Sequence, residues 1–280
     1  MLDTNTKLTV LHDANSVFTD HSKEAFDFSR DAFSLTLNKD TSYLYVGFYK
    51  PINSCFVSLS TANTNANSFT AEIYNGSSWT AATDFYDDTK GFTRSGFMTW
   101  DRNQTNQAST AINSTSLFWI RLRPSVTHSA TILNGLNFLF ADDQDLTYEV
   151  PEITDTNHLA GKSSHILTHV AARNEILQSL NNKDYKKLNP TTSYREDLTA
   201  WDILEGSQLK QAAVYLALSK IYFNFSDATD DKYHQKSKHF QAKFKEAFQL
   251  SQLSLDEDDD GLLDSSEKAS STFSIIRVKR

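Results

Sequence analysis

The chain has 280 residues, a formal net charge of −8 at pH 7, one cysteine and 12 % aromatic residues. This length predicts two domains of ordinary size, and the acidic balance argues against general affinity for nucleic acid or anionic membranes. A single cysteine, Cys55, excludes an internal disulfide and a Cys/His metal cluster. No stretch approaches about 18 apolar residues, and MLDTNTKLTV resembles no signal peptide, so we expect neither a membrane span nor export by that route.

Residues 1–150 have the pattern of an antiparallel β-sandwich. Short segments with alternating apolar residues are separated by Asn, Asp and Pro, which is typical of this architecture. The predicted strands are SLTLNKD, SYLYVGFY, SCFVSLS, FTAEIYN, GSSWTAATDF, GFTRSGFMTW, LFWIRLRP and LNGLNFLFAD. We therefore assign residues 1–150 to a jelly-roll-like sandwich domain.

Three tryptophans, Trp79, Trp100 and Trp119, lie in or beside these predicted strands. Exposed indole rings could stack on sugar rings, as they do in carbohydrate-binding modules. Tryptophans on strands more often fill a core, and this is the interpretation that we favour.

The apolar spacing becomes helical after Pro151. Residues 165–180 place apolar side chains along one face, and residues 208–225 are apolar on nearly all sides, which predicts burial against helices or neighbouring subunits. DKYHQKSKHFQAKFKEAFQLSQL predicts an amphipathic helix with aromatic residues on one face and lysines on the other. We assign residues 151–255 to a helical bundle.

Sequence motifs of catalysis are absent. The chain has no G-x-S-x-G elbow, no P-loop and no G-x-G-x-x-G after a strand. His165 and His169 are four residues apart on a predicted helix, a spacing that can chelate zinc, but no H-E-x-x-H pattern or third ligand accompanies them. We interpret both as surface or packing residues and expect no enzymatic activity.

Residues 256–267, DEDDDGLLDSSE, match the twelve-residue calcium loop of the EF-hand, D-x-[DN]-x-[DN]-G-x₅-E. Gly261 takes position 6, where the backbone turns sharply. The predicted ligands at positions 1, 3, 5, 7, 9 and 12 are Asp256, Asp258, Asp260, the backbone carbonyl of Leu262, Asp264 and Glu267. An acidic, solvated linker is the alternative, but it would require neither this glycine nor a final glutamate. We predict a structural Ca²⁺ site.

The helical half resembles a known family. HVAARNEILQSL, LKQAAVYLALSKIYFNF and KYHQKSKHFQAKFKEAFQLSQLSLDEDDDG, within roughly residues 160–280, are similar to the head-to-tail connector, or adaptor, proteins of tailed bacteriophages. The resemblance implies a virion protein of the phage neck, present in the host cytoplasm during assembly. It implies a homo-oligomeric ring, typically of twelve copies, that binds the portal protein and links it to tail or neck proteins. DNA would pass through the ring without specific binding.

The N-terminal half is similar to sandwich domains of phage structural proteins. The similarity rests on three stretches, with a one-residue shortening in the first: Tyr74, Gly76 and Trp79; then Gly91, Phe92, Thr93, Ser95, Gly96 and Trp100; then Trp119, Ile120 and Arg121. Minimal connectors are little more than the helical bundle. The resemblance therefore leaves the role of the sandwich open: it either decorates the ring or binds a neighbouring tail component.

Residues 268–280 form the predicted docking tail, ending in SIIRVKR. The resemblance implies that this tail docks on the portal, and it could do so by adding a strand to an exposed edge. Its predicted contact residues are Ile275, Ile276, Arg277, Lys279 and Arg280. The complete prediction is an α+β chain: a β-sandwich, a helical bundle, an EF-hand-like calcium loop and an extended tail. The alternative function is a carbohydrate-binding or decoration module of a phage tail or cell surface.

Overall fold

The computed structural model describes residues 8–28, 32–104, 106–183, 185–188, 194–228, 231–268 and 270–271. The chain divides into two compact units, and its fold class is α+β, as predicted. Unit 1 comprises Met1–Phe138 with Asp260–Leu262, and unit 2 comprises Leu139–Asp259 with Leu263–Arg280. None of the described helices is both long enough and apolar enough to span a membrane.

The described residues of unit 1 form two antiparallel sheets and one short helix, α1 (Ser22–Phe26). Its strands are β1 (Thr9–Ala14), β2 (Val17–Asp20), β3 (Phe33–Leu35), β4 (Ser42–Phe48), β5 (Ser54–Thr61), β6 (Phe69–Tyr74), β7 (Trp79–Ala81), β8 (Tyr86–Asp87), β9 (Gly96–Thr99), β10 (Thr110–Ile112), β11 (Thr115–Pro124) and β12 (Thr131–Asn137). The seven-stranded sheet has the order β2-β1-β4-β11-β6-β7, with β10 paired to β11. The five-stranded sheet has the order β3-β12-β5-β9-β8.

The two faces of the seven-stranded sheet follow from the two-residue period of a strand. On β6, Phe69, Ala71 and Ile73 are buried, whereas the residues between them are not. The opposite face holds a second apolar cluster around Trp119, which lies directly across from Gly47 on β4. A Cβ atom at Gly47 would lie 2.4 Å from the indole ring, so only glycine leaves space for this tryptophan.

Unit 2 is mainly helical. Its helices are α2 (Asp143–Glu149), α3 (Thr156–Leu159), α4 (Ile166–Asn182), α5 (Lys210–Asn224) and α6 (Lys232–Leu250). Its short strands are β13 (Lys186–Leu188) paired with β14 (Arg195–Asp197), and β15 (Gln252–Leu253) paired with β16 (Ser270–Ser271). Turns of 3-10 helix occupy Pro151–Thr154, Ala200–Asp202 and Gly206–Leu209.

Helix α5 is the core of unit 2. As its all-round apolar pattern predicted, nine of its fifteen residues are buried. Its contact with α6 includes Tyr222 stacked on Phe240, with ring centroids 5.7 Å apart. At the crossing, Ser219 and Ser237 each donate a hydroxyl hydrogen bond to the other's backbone carbonyl, at 3.0 and 2.9 Å. Small side chains here let the two helices approach closely.

The boundary between the units lies between Phe138 and Leu139, whereas the composition changes near Pro151. The segment between these points contains α2, which begins with a capping box. The Asp142 carboxylate accepts the Asp145 N–H at 3.1 Å, and the Asp145 carboxylate accepts the Asp142 N–H at 3.1 Å. Helix α2 then packs on α5, which explains why this segment belongs to the helical unit.

Candidate metal centre

Backbone pairing holds both ends of the acidic loop, residues 256–267. Before the loop, Gln252 and Leu253 of β15 pair with Ser271 and Ser270 of β16, which follow the loop. The first loop residue, Asp256, donates its N–H to the carbonyl of Asp202 at 3.0 Å. Beside it, Leu255 forms a β-bridge with Ile203. The loop therefore starts and ends on fixed parts of unit 2.

The structure brings together the side chains predicted at positions 1, 3 and 5. Carboxylate oxygens of Asp256, Asp258 and Asp260 all lie within 4.8 Å of one another. Asp256 is fully buried, whereas Asp258 and Asp260 are exposed. Three close carboxylates repel one another unless a cation neutralises them, and an all-oxygen donor set is the kind that Ca²⁺ prefers. These residues fit the ion that the sequence predicts.

Glu267 and Asp264 bind backbone at the closing end of the loop. The Glu267 carboxylate accepts N–H bonds from Glu257 at 2.7 Å and Asp264 at 3.4 Å, so position 12 folds back onto position 2. Burial, with the nearby charges of Asp256 and Asp258, raises the pKa of Glu267. By contrast, hydrogen bonds from Ser266, together with the Glu267 N–H, lower the pKa of Asp264.

The remaining predicted loop positions, Asp264, Leu262 and Gly261, have different surroundings. Asp264 is not among the carboxylates grouped near Asp256, and its Oδ1 serves as a local backbone cap. Leu262 donates its N–H to Asp260 Oδ1 at 2.7 Å and is partly exposed. Gly261 adopts a φ of +76°, the left-handed turn that position 6 requires.

The predicted docking residues of the tail lie outside the described residues. This holds for Ile275, Ile276, Arg277, Lys279 and Arg280. Of the predicted tail, residues 268–280, the structure describes Lys268 and the backbone of Ser270 and Ser271, which form β16.

A buried lysine lies beside the loop, and the sequence pattern did not predict it. Lys187 on β13 places its Nζ 3.1 Å from Asp259 Oδ1 and 3.4 Å from Asp202 Oδ1. The Lys187 and Asp202 side chains are 4 % and 0 % exposed. Asp202, Asp256 and Asp259 also form a second group of carboxylates within 4.8 Å. Because Lys187 is far from the loop in sequence, no local spacing could have indicated this contact.

The two histidines considered as metal ligands have other partners. His165 is buried and its Nε2 bonds the carbonyl of Ile153 at 2.9 Å. His169 is also buried, and its Nε2 lies 3.1 Å from Asp143 Oδ1. They are packing residues that tie α4 to the preceding segment.

The three tryptophans differ in accessibility. Trp119 and Trp100 are 0 % and 5 % exposed, so they present no ring face for a sugar to stack on. Trp79 is half-buried, and the Arg121 guanidinium lies 4.4 Å from the centre of its ring. The Arg121 guanidinium also donates a hydrogen bond to the Glu72 carboxylate at 2.8 Å, so this arginine is held against the Trp79 ring.

Comparison with known proteins assigns the chain to no family. No protein-family profile matches the chain, and no curated protein matches it. Among solved structures, two of a family 89 glycoside hydrolase from Clostridium perfringens are similar at TM-score 0.29, with 11 and 12 % identity. One is in complex with its substrate GlcNAc-alpha-1,4-galactose and the other with 2-acetamido-1,2-dideoxynojirmycin. Each match covers 64 % of this chain and only 20 % of the hydrolase, and this similarity is too low to carry an argument.

Proposed function

We propose that the protein is a non-enzymatic structural component of a phage virion. In this proposal it is a head-to-tail adaptor, with copies forming a ring beneath the portal protein in the neck. Unit 2 builds the ring, the calcium loop orients the tail, and the tail docks on the portal or on a neighbour. The resemblance of residues 160–280 to connector proteins supports the assignment.

The observation that carries the proposal is the position of the acidic loop. It lies between the last long helix, α6, and the segment that leads into the basic tail. Its first residue, Asp256, donates its N–H to the carbonyl of Asp202, and Ser270 and Ser271, which follow the loop, pair with β15. Metal binding to such a loop orders the local chain. The direction in which the chain leaves Ser271 is thereby coupled to the loop.

Calcium would be held by oxygen atoms of the loop. Asp256, Asp258 and Asp260 would supply the grouped carboxylates, and Glu267, which is not in that group but has its pKa raised in part by the charges of Asp256 and Asp258, would supply the closing carboxylate. When bound, the ion supplies charge neutralisation. The chain would hold these oxygen atoms on a loop whose flanking residues are already paired. A change at Asp258, the exposed member at position 3, should therefore weaken calcium binding without opening the buried part of the unit.

Charge supports the proposed path of DNA through the ring. The chain carries 35 acidic against 27 basic residues, which gives −8 with histidine neutral. Phosphate groups are repelled by a negative field and attracted by a basic patch. An acidic ring would therefore let DNA slide without holding it.

The test is binding of the full chain to a portal protein, in calcium and in chelator. We expect Asp258→Ala to reduce portal binding in calcium to the level that wild type shows in chelator. Glu257→Ala is the matched control, because Glu257 is an exposed acid at position 2, where EF-hand loops place no ligand. Calorimetry on the same proteins would show calcium binding lost only in the first variant.

A charge reversal in the tail, Arg277→Glu with Lys279→Glu, tests portal binding separately from calcium binding. This variant should bind calcium as wild type does and should fail to bind the portal. Portal binding that is indifferent to calcium, to Asp258 and to the tail charges would overturn the proposed function.

A further inference from the structure

A buried arginine of unit 1 holds the turn of the acidic loop. The three residues at this turn, Asp260–Leu262, belong to unit 1. Within that unit, Arg102 donates a hydrogen bond from its Nη1 to the Gly261 carbonyl at 3.1 Å. Its Nη2 donates to Asn53 Oδ1 at 3.0 Å. One guanidinium group therefore connects the turn to a side chain next to the five-stranded sheet.

The position of Arg102 is set by that sheet. Strands β5 and β9 pair with Ser54 opposite Thr99. One residue further along each segment, Trp100 donates its N–H to the Asn53 carbonyl at 2.9 Å. Arg102 follows two residues later and is only 6 % exposed. The arginine is thus presented from the end of a paired ladder, and its place does not depend on the loop that it contacts.

Gly261 packs directly on the backbone of unit 1. A Cβ atom at this position would lie 2.7 Å from the Pro51 carbonyl oxygen and 3.0 Å from Lys50 Cβ. Carbon atoms in favourable contact are about 3.5 to 4.0 Å apart, so a side chain at position 261 would push the turn away. The positive φ of the calcium-loop turn and this close approach therefore require the same residue.

The bond from Arg102 removes no predicted ligand from the ion. A buried guanidinium requires acceptors for its N–H groups, and the Gly261 carbonyl is one of them. EF-hand loops take no ligand from position 6. The two neighbours of Gly261 are both predicted ligands, namely the Asp260 carboxylate and the Leu262 carbonyl. Arg102 therefore holds the backbone between two ligands and leaves both of them to the ion.

We propose that Arg102 is a positioning residue of the calcium loop, and that calcium in turn stabilises the sheet end from which Arg102 is presented. The inference rests on the calcium loop of the proposed function and adds its dependence on unit 1. A turn that is ordered before the ion binds loses less conformational entropy on binding. Because coupling between two equilibria is reciprocal, the contact strengthens calcium binding by the same factor by which calcium strengthens the contact.

The first test is the calcium affinity of the full chain, measured by calorimetry. Arg102→Gln should weaken calcium binding about tenfold or more, because it removes hydrogen bonds from a charged donor. Arg102→Lys keeps a positive charge and one donor, and it should recover part of the affinity. Arg94→Gln is the matched control. It removes the same charge from unit 1, where Arg94 pairs with Asp88, and it should bind calcium as wild type does.

The second test is backbone amide exchange of the full chain in calcium and in chelator, which in wild type requires no variant to fold. Calcium should raise the protection of the Trp100 N–H, whose acceptor is the carbonyl of Asn53, by up to about tenfold. The amides of β10, which pairs with β11 in the other sheet, should not change. In Arg102→Gln, calcium should no longer raise the protection of the Trp100 N–H.

Three results would overturn the positioning role while calcium binding by the loop stands. These are an unchanged calcium affinity in Arg102→Gln, an equal loss in Arg94→Gln, and a Trp100 N–H whose protection in wild type is indifferent to calcium. A wild type that binds no calcium would overturn the calcium loop of the proposed function as well. The calorimetry of wild type therefore separates failure of this inference from failure of the proposal on which it rests.

Discussion

At the scale of a single residue, Lys187 is the buried positive charge that contacts carboxylates in and beside the acidic loop, residues 256–267. Its ammonium contacts Asp202 and Asp259, and it lies beside the group of carboxylates that includes Asp256. Removing one partner of a buried ion pair leaves the other charge without compensation, which costs about 3 to 5 kcal/mol. We therefore expect Lys187→Met to lower the free energy of unfolding by about that amount in chelator, measured by urea denaturation. Calcium should reduce the loss, because a bound cation neutralises the same carboxylates.

The matched control is the preceding residue. Lys186 on the same strand pairs with Asp197, whose side chain is 71 % exposed. Exposed pairs contribute about 0 to 1 kcal/mol, so Lys186→Met should change stability little. If the two variants lose the same amount, then Lys187 does not act through its buried partners.

His128 makes the stability of unit 1 dependent on pH. Its side chain is buried between Phe69 and Phe92, its Nε2 contacts the Asn67 amide, and burial lowers its pKa to about 4. The unfolded chain takes up the proton near pH 6.5, whereas the folded chain resists it. The stabilisation is therefore complete above pH 6.5 and is lost as the pH falls from 6.5 to 4.

This prediction is measured by backbone amide exchange in β6 and β12. Protection should fall across that pH window in wild type, and His128→Gln should show a shallower fall. His12 and His21 also have lowered pKa values, chiefly through burial, and remain in both proteins. The difference between the two profiles therefore isolates His128, and identical profiles would contradict its assigned role.

At the scale of one element, the capping box fixes the start of α2, the first helix of unit 2. Asp142 is buried, and burial raises the pKa of its carboxyl group, with a smaller contribution from the Asp145 charge. Asp142→Ala removes the acceptor for the Asp145 N–H and should cost about 1 kcal/mol in urea denaturation. Asp142→Asn keeps an acceptor oxygen and should retain most of the stability. Equal losses in both variants would mean that the charge, and not the cap, stabilises α2.

Elements with long, regular periodicity were predictable from the sequence. The all-round apolar pattern of α5 and the amphipathic pattern of α6 predicted both helices to within a few residues. Strands β4, β5, β6 and β11 were likewise evident from apolar alternation. Strands β1, β2, β8 and β10 and helices α1 to α3 were missed. They are short or only partly buried, so their pairing partners, rather than a local period, determine their structure.

At the scale of the whole molecule, one part of the candidate site was predictable from the sequence and another part was not. The spacing of Asp256, Asp258 and Asp260 predicted that their carboxylates would lie close together, and they do. The surroundings of the loop could not be predicted, because Lys187 and Asp202 reach it only through the tertiary fold. The exposed apolar side chains of unit 2 were equally hard to predict: Leu167 and Phe223 have the pattern of ordinary members of apolar helices, yet they are 47 % and 62 % exposed.

The pairing of β15 with β16 has a thermodynamic consequence for the loop that it closes. Roughly sixteen residues separate Leu253 from Ser270, and the ladder already joins these ends. Bringing together the ends of a free chain of this length costs on the order of 2 kcal/mol of configurational entropy. A cation that binds the loop need not supply that free energy, which corresponds to a factor of about thirty in affinity. Part of the affinity of such a site would thus come from two residue pairs that lie outside the twelve-residue loop.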